Sequence, residues 1–188
     1  MNKDLGQLST AELGKLFPII ISDPNPKWKE IYQIEKTNII KLLGLDIVKR
    51  IEHIGSTAIP NLKSKPTIDI LLEINDNVDA NRIIELLKKL EYHFISKPEN
   101  PPPHMMFAKG YSKEGFIGQT YHIHVRFEGN WNEIIFRDYL INNPEIAKEY
   151  SDLKLELAKK YKNNREAYTE GKTDFIKKVI NKSKKIKL

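Results

Sequence analysis

The residue best suited to chemistry in this sequence is Asp69, because of the segment that carries it. The segment 67–74 alternates with a period of two, and one of its sides is wholly aliphatic, which predicts a β-strand. The aliphatic side must face the core, so Asp69 and Glu73 are expected on an open, opposite side. A carboxylate held on a rigid strand is a good ligand for a hard cation such as Mg2+. The alternative is an acid at a strand edge that makes only a local hydrogen bond.

A turn rich in small residues precedes this strand. Gly55, Ser56 and Thr57 follow the apolar run 47–54, which predicts another strand. Backbone N–H groups and hydroxyls in such a turn bind anions, including phosphate. The same hydroxyls could instead cap a short helix, and the two roles are compatible. Together with Asp69, the turn predicts a place that holds a metal-bound phosphate.

Two histidines lie on a later segment with the same alternating pattern. In the segment 119–127 the apolar residues share one side, whereas His122 and His124 lie on the other, polar side. Two imidazoles at positions i and i+2 on one face of a strand can share a metal ion. The alternative is a pair of half-exposed surface histidines. We expect this strand to lie in the same sheet as the strand of Asp69, with both imidazoles and the carboxylate on one face.

Three lysines are candidates for phosphate binding. Lys65 lies just before the strand that carries the acid, where an exposed loop lysine is an equally good interpretation. Tyr150 and Lys154 are four residues apart on a predicted helix, as are Tyr168 and Lys172, so each pair shares one side of its helix. A lysine on an apolar stripe either snorkels its ammonium group to solvent or extends it across a cleft toward a phosphate.

The stretch from His53 to Asp69 reads HIGSTAIPNLKSKPTID and resembles the signature of the GrpB family, also called UPF0157. That signature has the form His-Ile-Gly-Ser-Thr-x-Val-Pro-Gly-Leu-x-x-Lys-Pro-x-Ile-Asp. Ile59 replaces its valine and Asn61 its second glycine, a mild change because asparagine tolerates the left-handed backbone. The resemblance covers nearly the whole chain, from about Ile19 to the end. Four further blocks resemble the family: 122–125, 136–140, Tyr150 with Lys154, and Tyr168 with Lys172.

The resemblance implies a place in the nucleotidyltransferase superfamily, with a polymerase-β-like fold. The implied architecture is an α/β (α+β) chain, with a mixed β-sheet, flanking helices and a helical C-terminal part. In that superfamily a Gly-Ser turn precedes a strand with an acidic pair, spaced Asp-x-Asp or Asp-x-Glu, and a later strand adds a third carboxylate. Asp69 would then be the catalytic metal ligand, and His122 or His124 would stand where the third acid usually stands.

The acidic pair is broken in this sequence, because Leu71 occupies its second position. Glu73 shares that side of the strand but lies about 6–7 Å beyond Leu71. Three interpretations remain open. Glu73 or another group substitutes for the missing acid, or the second metal is absent, or the site binds a nucleotide without transferring it.

The expected function is nucleotidyltransferase-like: binding of a nucleoside triphosphate with Mg2+ or Mn2+, or with Zn2+ through the histidines, and nucleotidyl transfer to an unknown acceptor. A non-catalytic nucleotide- or metal-binding module is the alternative, which Leu71 favours. The expected metal ligands are Asp69, His122, His124 and Glu73. The residues expected to contact the nucleotide and its phosphates are Gly55, Ser56, Thr57, Lys65, Lys154, Tyr168 and Lys172.

Composition bounds these expectations. A chain of 188 residues with 40% hydrophobic and 30% charged residues is typical of one soluble domain, here 1–188. The absence of cysteine excludes disulfides and thiol chemistry and is typical of a cytoplasmic protein, and neither an apolar membrane span nor a signal peptide is expected. Residues 151–188 hold 12 Lys+Arg against 5 Asp+Glu, whereas residues 1–150 hold 19 against 20. This basic segment supports RNA binding as a third, less favoured class, because few aromatic stacking platforms accompany it.

The periodicity predicts an α/β order that ends in helices. The second predicted helix is expected to bury Trp28, Ile31, Ile34, Ile39 and Leu42. The predicted helices are 10–16, 27–43, 78–90, 131–141, 144–162 and 165–180, and the predicted strands are 47–54, 67–74, 92–96, 105–111 and 119–127.

Overall fold

The computed structural model describes residues 7–186, in which strands and helices occur close to the predicted places. No helix of this range is long and apolar enough to cross a lipid bilayer. The strands are β1 (Val48–Ile54), β2 (Thr67–Ile74), β3 (His93–Ser96), β4 (Met105–Ser112) and β5 (Gly115–Arg126). The helices are α1 (Thr10–Leu16), α2 (Lys27–Leu43), α3 (Ala80–Lys88), α4 (Asn132–Asn142), α5 (Pro144–Lys160), α6 (Arg165–Glu170) and α7 (Thr173–Ile186).

The five strands form one mixed sheet in the order β1-β2-β5-β4-β3. β2 and β5 are parallel neighbours at its centre, whereas the other three pairs are antiparallel. In the β2–β5 register Asp69 lies opposite His122, and Leu71 lies opposite His124. The prediction that the two alternating segments pair in one sheet is therefore confirmed, as is the mixed α+β fold class.

The aliphatic side of the sheet packs against α2 and α3, as the period-two pattern predicts. The apolar face expected for α2 is partly wrong, since Ile34 is 57% exposed. In its place the helix buries Glu35, whose carboxylate accepts hydrogen bonds from the Tyr92 hydroxyl (3.0 Å) and the Lys109 ammonium (3.1 Å). A partnered acid can occupy a core position that a hydrophobicity pattern assigns to an aliphatic residue. The buried residues of α2 are Trp28, Tyr32, Glu35, Ile39 and Leu43.

The opposite side of β2 is not open, which corrects the expectation from its polar residues. Leu71 is fully buried and Glu73 is 2% exposed. α4 lies against β1 on this side, where the Arg137 guanidinium donates to Glu52 and to the carbonyl oxygen of His53. A second apolar cluster joins the segment after β1 to the C-terminal helices. Its buried members are Ile59, Leu62, Phe136, Tyr139, Leu140, Ala147, Tyr150, Val179 and Ile180.

The last predicted helix, 165–180, is two helices in the structure. α6 ends at Glu170, and α7 begins at Thr173 after the short break at Gly171 and Lys172. Gly171 is exposed, and its helical backbone (φ −58°) forms the C-cap of α6. The interruption places Lys172 between two helices and on the wall of a cleft.

Candidate ligand-binding cleft

A cleft of about 2030 Å³ lies between the polar side of the sheet and the C-terminal helices. It brings together most of the residues that the sequence singled out. Thr57 and Glu73 are not among its lining residues. The lining residues predicted from the sequence are Gly55, Ser56, Lys65, Asp69, His122, His124, Lys154, Tyr168 and Lys172.

Asp69 lies at the centre of this cleft with both histidines beside it. Its Oδ1 atom accepts a hydrogen bond from Nδ1 of His122 at 3.0 Å, and Nε2 of His124 lies 4.0 Å away. Its Oδ2 atom is against Gly55, where an added Cβ atom would come within 2.3 Å. Burial alone would raise the pKa of Asp69, but the two imidazoles outweigh it and hold the pKa well below its usual range. The carboxylate is therefore ionised at neutral pH.

His122 connects this carboxylate to a tyrosine that the sequence reasoning missed. The Tyr111 hydroxyl lies 2.8 Å from Nε2 of His122, and the two rings stack. Burial lowers the pKa of His122, so the ring is neutral, with Nδ1–H donating to Asp69 and Nε2 accepting from Tyr111. An irregularity in the β4–β5 register between Lys109 and Tyr111 precedes the tyrosine. Periodicity cannot locate such a shift.

Lys65 and Lys172 form the cationic wall of the cleft together with Arg165. Their ammonium groups lie 5.4 Å and 4.7 Å from the ring centroid of buried Tyr168. Neither ammonium has a hydrogen bond or ion pair with any residue of the described range 7–186. Burial, with the nearby Arg165 and Lys172 charges, lowers the pKa of Lys65 to about 7 although Asp69 opposes the shift. An anion in the cleft would relieve this repulsion.

Lys154 differs from these two lysines, although the sequence grouped them. Its ammonium donates to the carbonyl oxygen of Lys63 at 2.5 Å and to the Ser64 hydroxyl at 3.3 Å. The side chain is 2% exposed and lies over the Tyr150 ring. Burial, with the Lys172 and Lys65 charges, lowers its pKa to about 7. Lys154 therefore stabilises the loop before β2, which corrects the expectation that it is free to contact phosphate.

The hydroxyl of Thr57 also forms hydrogen bonds within the protein. Its hydroxyl donates to the carbonyl oxygen of Thr67 at 2.9 Å, so it accepts from Nε2 of His53 at 3.0 Å. Burial lowers the pKa of His53 to about 4, which is consistent with a neutral, structural imidazole stacked on Tyr32. Of the predicted turn, Gly55 and half-buried Ser56 reach the cleft.

The structure corrects the assignment of Glu73 as a metal ligand. Its carboxylate accepts from Nε and Nη2 of Arg50 at 2.9 and 2.5 Å, from the Trp131 indole at 2.6 Å and from the Gly129 backbone N–H at 3.2 Å. These four donors saturate a carboxylate that is almost fully buried. Glu73 ties β1 and the segment before α4 to β2, so it does not substitute for the acid that Leu71 replaces.

The donor set around Asp69 does not fit a resident Mg2+ or Mn2+ ion. Within the part of the chain that the structure describes, no three acids, histidines or cysteines are grouped so that they could hold a metal. One carboxylate and two imidazoles lie together, and the His122 nitrogen nearest the carboxylate carries a proton. Hard divalent cations prefer six or more oxygen ligands. Most of these oxygens would have to come from a bound ligand or from water.

The protein has a mixed sheet with helices on both sides, and its cleft holds one acid and two histidines beside a wall of lysines. This class of protein is represented by a solved structure. The crystal structure of conserved protein GrpB from Enterococcus faecalis superposes with a TM-score of 0.76. The two chains are 28% identical, and the match covers 87% of this chain and 96% of that one.

The chain belongs to the GrpB family, because the family model described as GrpB protein matches residues 18–182. The glutamate-rich protein GrpB of Alkalihalophilus pseudofirmus is 36% identical over 167 residues, covering 87% of this chain and 94% of that one. The UPF0157 protein PA4798 of Pseudomonas aeruginosa is 37% identical over 161 residues, covering 85% of this chain. The match spans 65% of the length of that relative.

Proposed function

We propose that the protein binds a nucleoside triphosphate in the cleft and belongs to the nucleotidyltransferase superfamily. The observation that carries this proposal is the pair of half-buried lysines, Lys65 and Lys172, whose ammonium groups have no anionic partner in residues 7–186 and face Asp69 across the cleft. Buried charges are normally paired, and a polyanion is the ligand that would pair with these. The resemblance of the turn and strand to superfamily members supports a triphosphate as that polyanion.

In this arrangement the phosphates contact Lys65, Lys172 and the turn Gly55-Ser56. Gly55 has a φ angle of 70°, which lets the backbone pass close to Asp69 where a side chain would collide. Asp69 would be the protein ligand of a divalent cation, Mg2+ or Mn2+, that accompanies the triphosphate. When bound, the cation neutralises phosphate charge. His122, fixed by Tyr111, orients the carboxylate.

We further propose that the nucleotide is a donor for nucleotidyl transfer to an acceptor. The second candidate is a module that binds a nucleotide without catalysis, and fully buried Leu71 favours it, because superfamily catalysis uses a carboxylate at that position. Both candidates place the protein in the cytoplasm, which its lack of cysteine favours.

Calorimetric titration with ATP, GTP, CTP and UTP, each with Mg2+, Mn2+ or Zn2+, tests the binding proposal. Lys172→Ala is expected to weaken the preferred nucleotide about tenfold or more, since it removes a charge-assisted hydrogen bond worth roughly 1.5–3 kcal/mol. Lys178→Ala is the matched control, because this lysine is exposed on α7 and lies outside the cleft lining. Equal affinity of the two folded variants would contradict the proposal, as would no binding by the unmodified protein.

Release of pyrophosphate from the bound nucleotide distinguishes the two candidates. A transferase releases pyrophosphate when an acceptor, or water in its place, attacks the α-phosphorus. We expect Mg2+-dependent release that Asp69→Asn abolishes. Tight binding with no release, under any of the three metals and in the presence of cell-extract small molecules, would favour the non-catalytic module.

A further inference from the structure

Arg126 is a buried cation of the cleft that the function proposed above does not use. It ends β5 on the same side of the strand as His122 and His124, lines the cleft, and is 3% exposed. Its Nη1 atom donates to the carbonyl oxygen of Val125 at 2.8 Å. The other edge of the guanidinium, Nε with Nη2, has no hydrogen-bonding partner among residues 7–186.

No acid within residues 7–186 forms an ion pair with Arg126. Glu73 is its register partner on β2, but that carboxylate is saturated by Arg50, Gly129 and Trp131. Glu133 interacts electrostatically with the guanidinium but forms no ion pair with it within the described range. The guanidinium carbon lies 5.9 Å from the Trp131 ring, which supports its position without removing its charge.

The position of Arg126 defines a second end of the cleft. Arg126 lies four positions after His122, a distance of about 13 Å along β5. Lys65 precedes β2 and so lies at the other end, beyond Asp69, and Lys172 is beside the same Tyr168 ring as Lys65. Half-buried Met106, the register partner of His124 on β4, provides an apolar wall between the two ends.

We propose that Arg126 forms a second oxyanion subsite, which binds a carboxylate or phosphate group of a second ligand through its Nε–Nη2 edge. An arginine edge with two parallel N–H groups matches the two oxygens of such a group, and burial from water strengthens the contact. The inference rests on the proposed function only in identifying this second ligand as the acceptor. The acceptor would then carry an anionic group, with its reacting atom near Asp69 and the nucleotide phosphates.

Nuclear magnetic resonance of the arginine Nε–H groups tests the subsite in the full chain. Malonate and inorganic phosphate are the probes, added separately to protein saturated with Mg2+ and ATP, and again without ATP. The Arg126 resonance is identified by its loss in Arg126→Lys. We expect both probes to shift this resonance in a saturable way, and the probe that binds more tightly indicates whether the subsite prefers a carboxylate or a phosphate group.

Substitution measures the contribution of the guanidinium. Arg126→Gln is expected to weaken probe binding at least tenfold while changing ATP affinity less than twofold. Arg126→Lys keeps the charge but lacks the two parallel N–H groups of the guanidinium edge. The affinity for malonate should therefore fall more than the affinity for phosphate. Arg82→Gln is the control, because this exposed arginine of α3 lies outside the cleft lining. Circular dichroism and melting curves establish that each variant is folded.

An Arg126 resonance that neither probe moves would overturn the proposal, even if Arg126→Gln fails to fold, because this measurement uses the unmodified protein. Equal probe affinity in folded Arg126→Gln and Arg82→Gln would overturn it as well. Loss of ATP binding in Lys172→Ala with intact probe binding at Arg126 separates the two ends of the cleft. If the probes bind at Arg126 but the protein binds no nucleotide, the proposed function is contradicted and the oxyanion subsite is still supported.

Discussion

The two ends of one side of β2 carry the same kind of residue in opposite situations. Asp69 and Glu73 lie four residues apart on a strand whose register is regular between them. Glu73 is 2% exposed and accepts four hydrogen bonds from neighbouring segments. The side chain of Asp69 is 27% exposed, accepts one close hydrogen bond from His122, and faces lysines that have no partner of their own within residues 7–186.

This contrast separates a structural acid from a candidate site acid. At the Glu73 end the carboxylate itself is fully partnered by Arg50, Gly129 and Trp131, so this network holds segments together. At the Asp69 end the cations exceed the anions, and a bound anion would balance them. The same contrast divides the lysines, because Lys154 donates to Lys63 and Ser64 whereas the Lys172 ammonium lies over the Tyr168 ring without a hydrogen bond in residues 7–186. The balance of partners, rather than the residue type, identifies the site.

The largest effect is expected on stability, when the carboxylate of Glu73 is replaced. Glu73→Gln removes the charge that Arg50 and Trp131 contact and presents an amide N–H to their donors. The expected loss is about 2–3 kcal/mol in the free energy of unfolding, or roughly 4–12 °C in Tm, with unchanged nucleotide affinity. Chemical and thermal denaturation measure it.

The control for this variant is Glu128→Gln, since Glu128 is an exposed acid paired with Lys49 nearby. Its expected loss in the free energy of unfolding is much smaller than that of Glu73→Gln, because solvent screens an exposed ion pair. A Glu73→Gln protein that melts normally but binds nucleotide weakly would mean that both acids serve the ligand, and the contrast between the two ends would fail.

Asp69→Asn should leave stability nearly unchanged and weaken metal-dependent nucleotide binding. The amide oxygen still accepts from Nδ1 of His122, so the free energy of unfolding should change by less than about 1 kcal/mol. The gain in ATP affinity that Mg2+ brings should disappear, because a charged ligand of the cation is lost. Melting curves with and without Mg2+ and ATP measure both quantities. The control is Asp152→Asn, an exposed acid of α5, and a mutant that melts early yet responds fully to Mg2+ and ATP would refute the assignment of Asp69.

The smallest expected effect is a pH dependence that sharpens the difference between paired and unpaired lysines. The pKa of Lys65 is about 7 in the free protein, and a bound anion raises it, so nucleotide binding takes up protons above pH 7. A rise of about one pKa unit predicts affinity about two- to three-fold weaker at pH 8.5 than at pH 7.5. Calorimetry in buffers of different ionisation enthalpy measures the proton uptake. Lys65→Met should remove most of it; uptake that persists undiminished would assign the titration to another group.

Much of the fold and part of the site follow from the order of residues alone. Clean period-two alternation located β2 and β5 and placed Asp69, His122 and His124 on one face, because strand geometry leaves only two sides. Lys172 was recognised as a lysine on an apolar stripe. The break between α6 and α7 at Gly171 and Lys172 was missed, because the apolar stripe continues through it.

Other site residues required contacts between distant segments. Tyr111 reaches His122 after a register irregularity in β4, and Arg165 joins the cationic wall from a helix that folds back on the sheet. Arg126 was visible as a polar residue of β5, but its lack of a partner depends on Glu73 being saturated by other segments. Local spacing has no information on which partner a side chain finds.

The sequence by itself determined the strands, their two-sided pattern, the Gly-Ser turn and the family resemblance, because these depend on neighbours a few residues apart. Only the tertiary structure decided which charges remain unbalanced. It assigned Glu73, Thr57 and Lys154 to internal hydrogen bonds and left Lys65 and Lys172 facing a cleft. The reason is physical: the free energy of a buried charge depends on the groups that surround it in space, and those groups come from segments far apart in the chain.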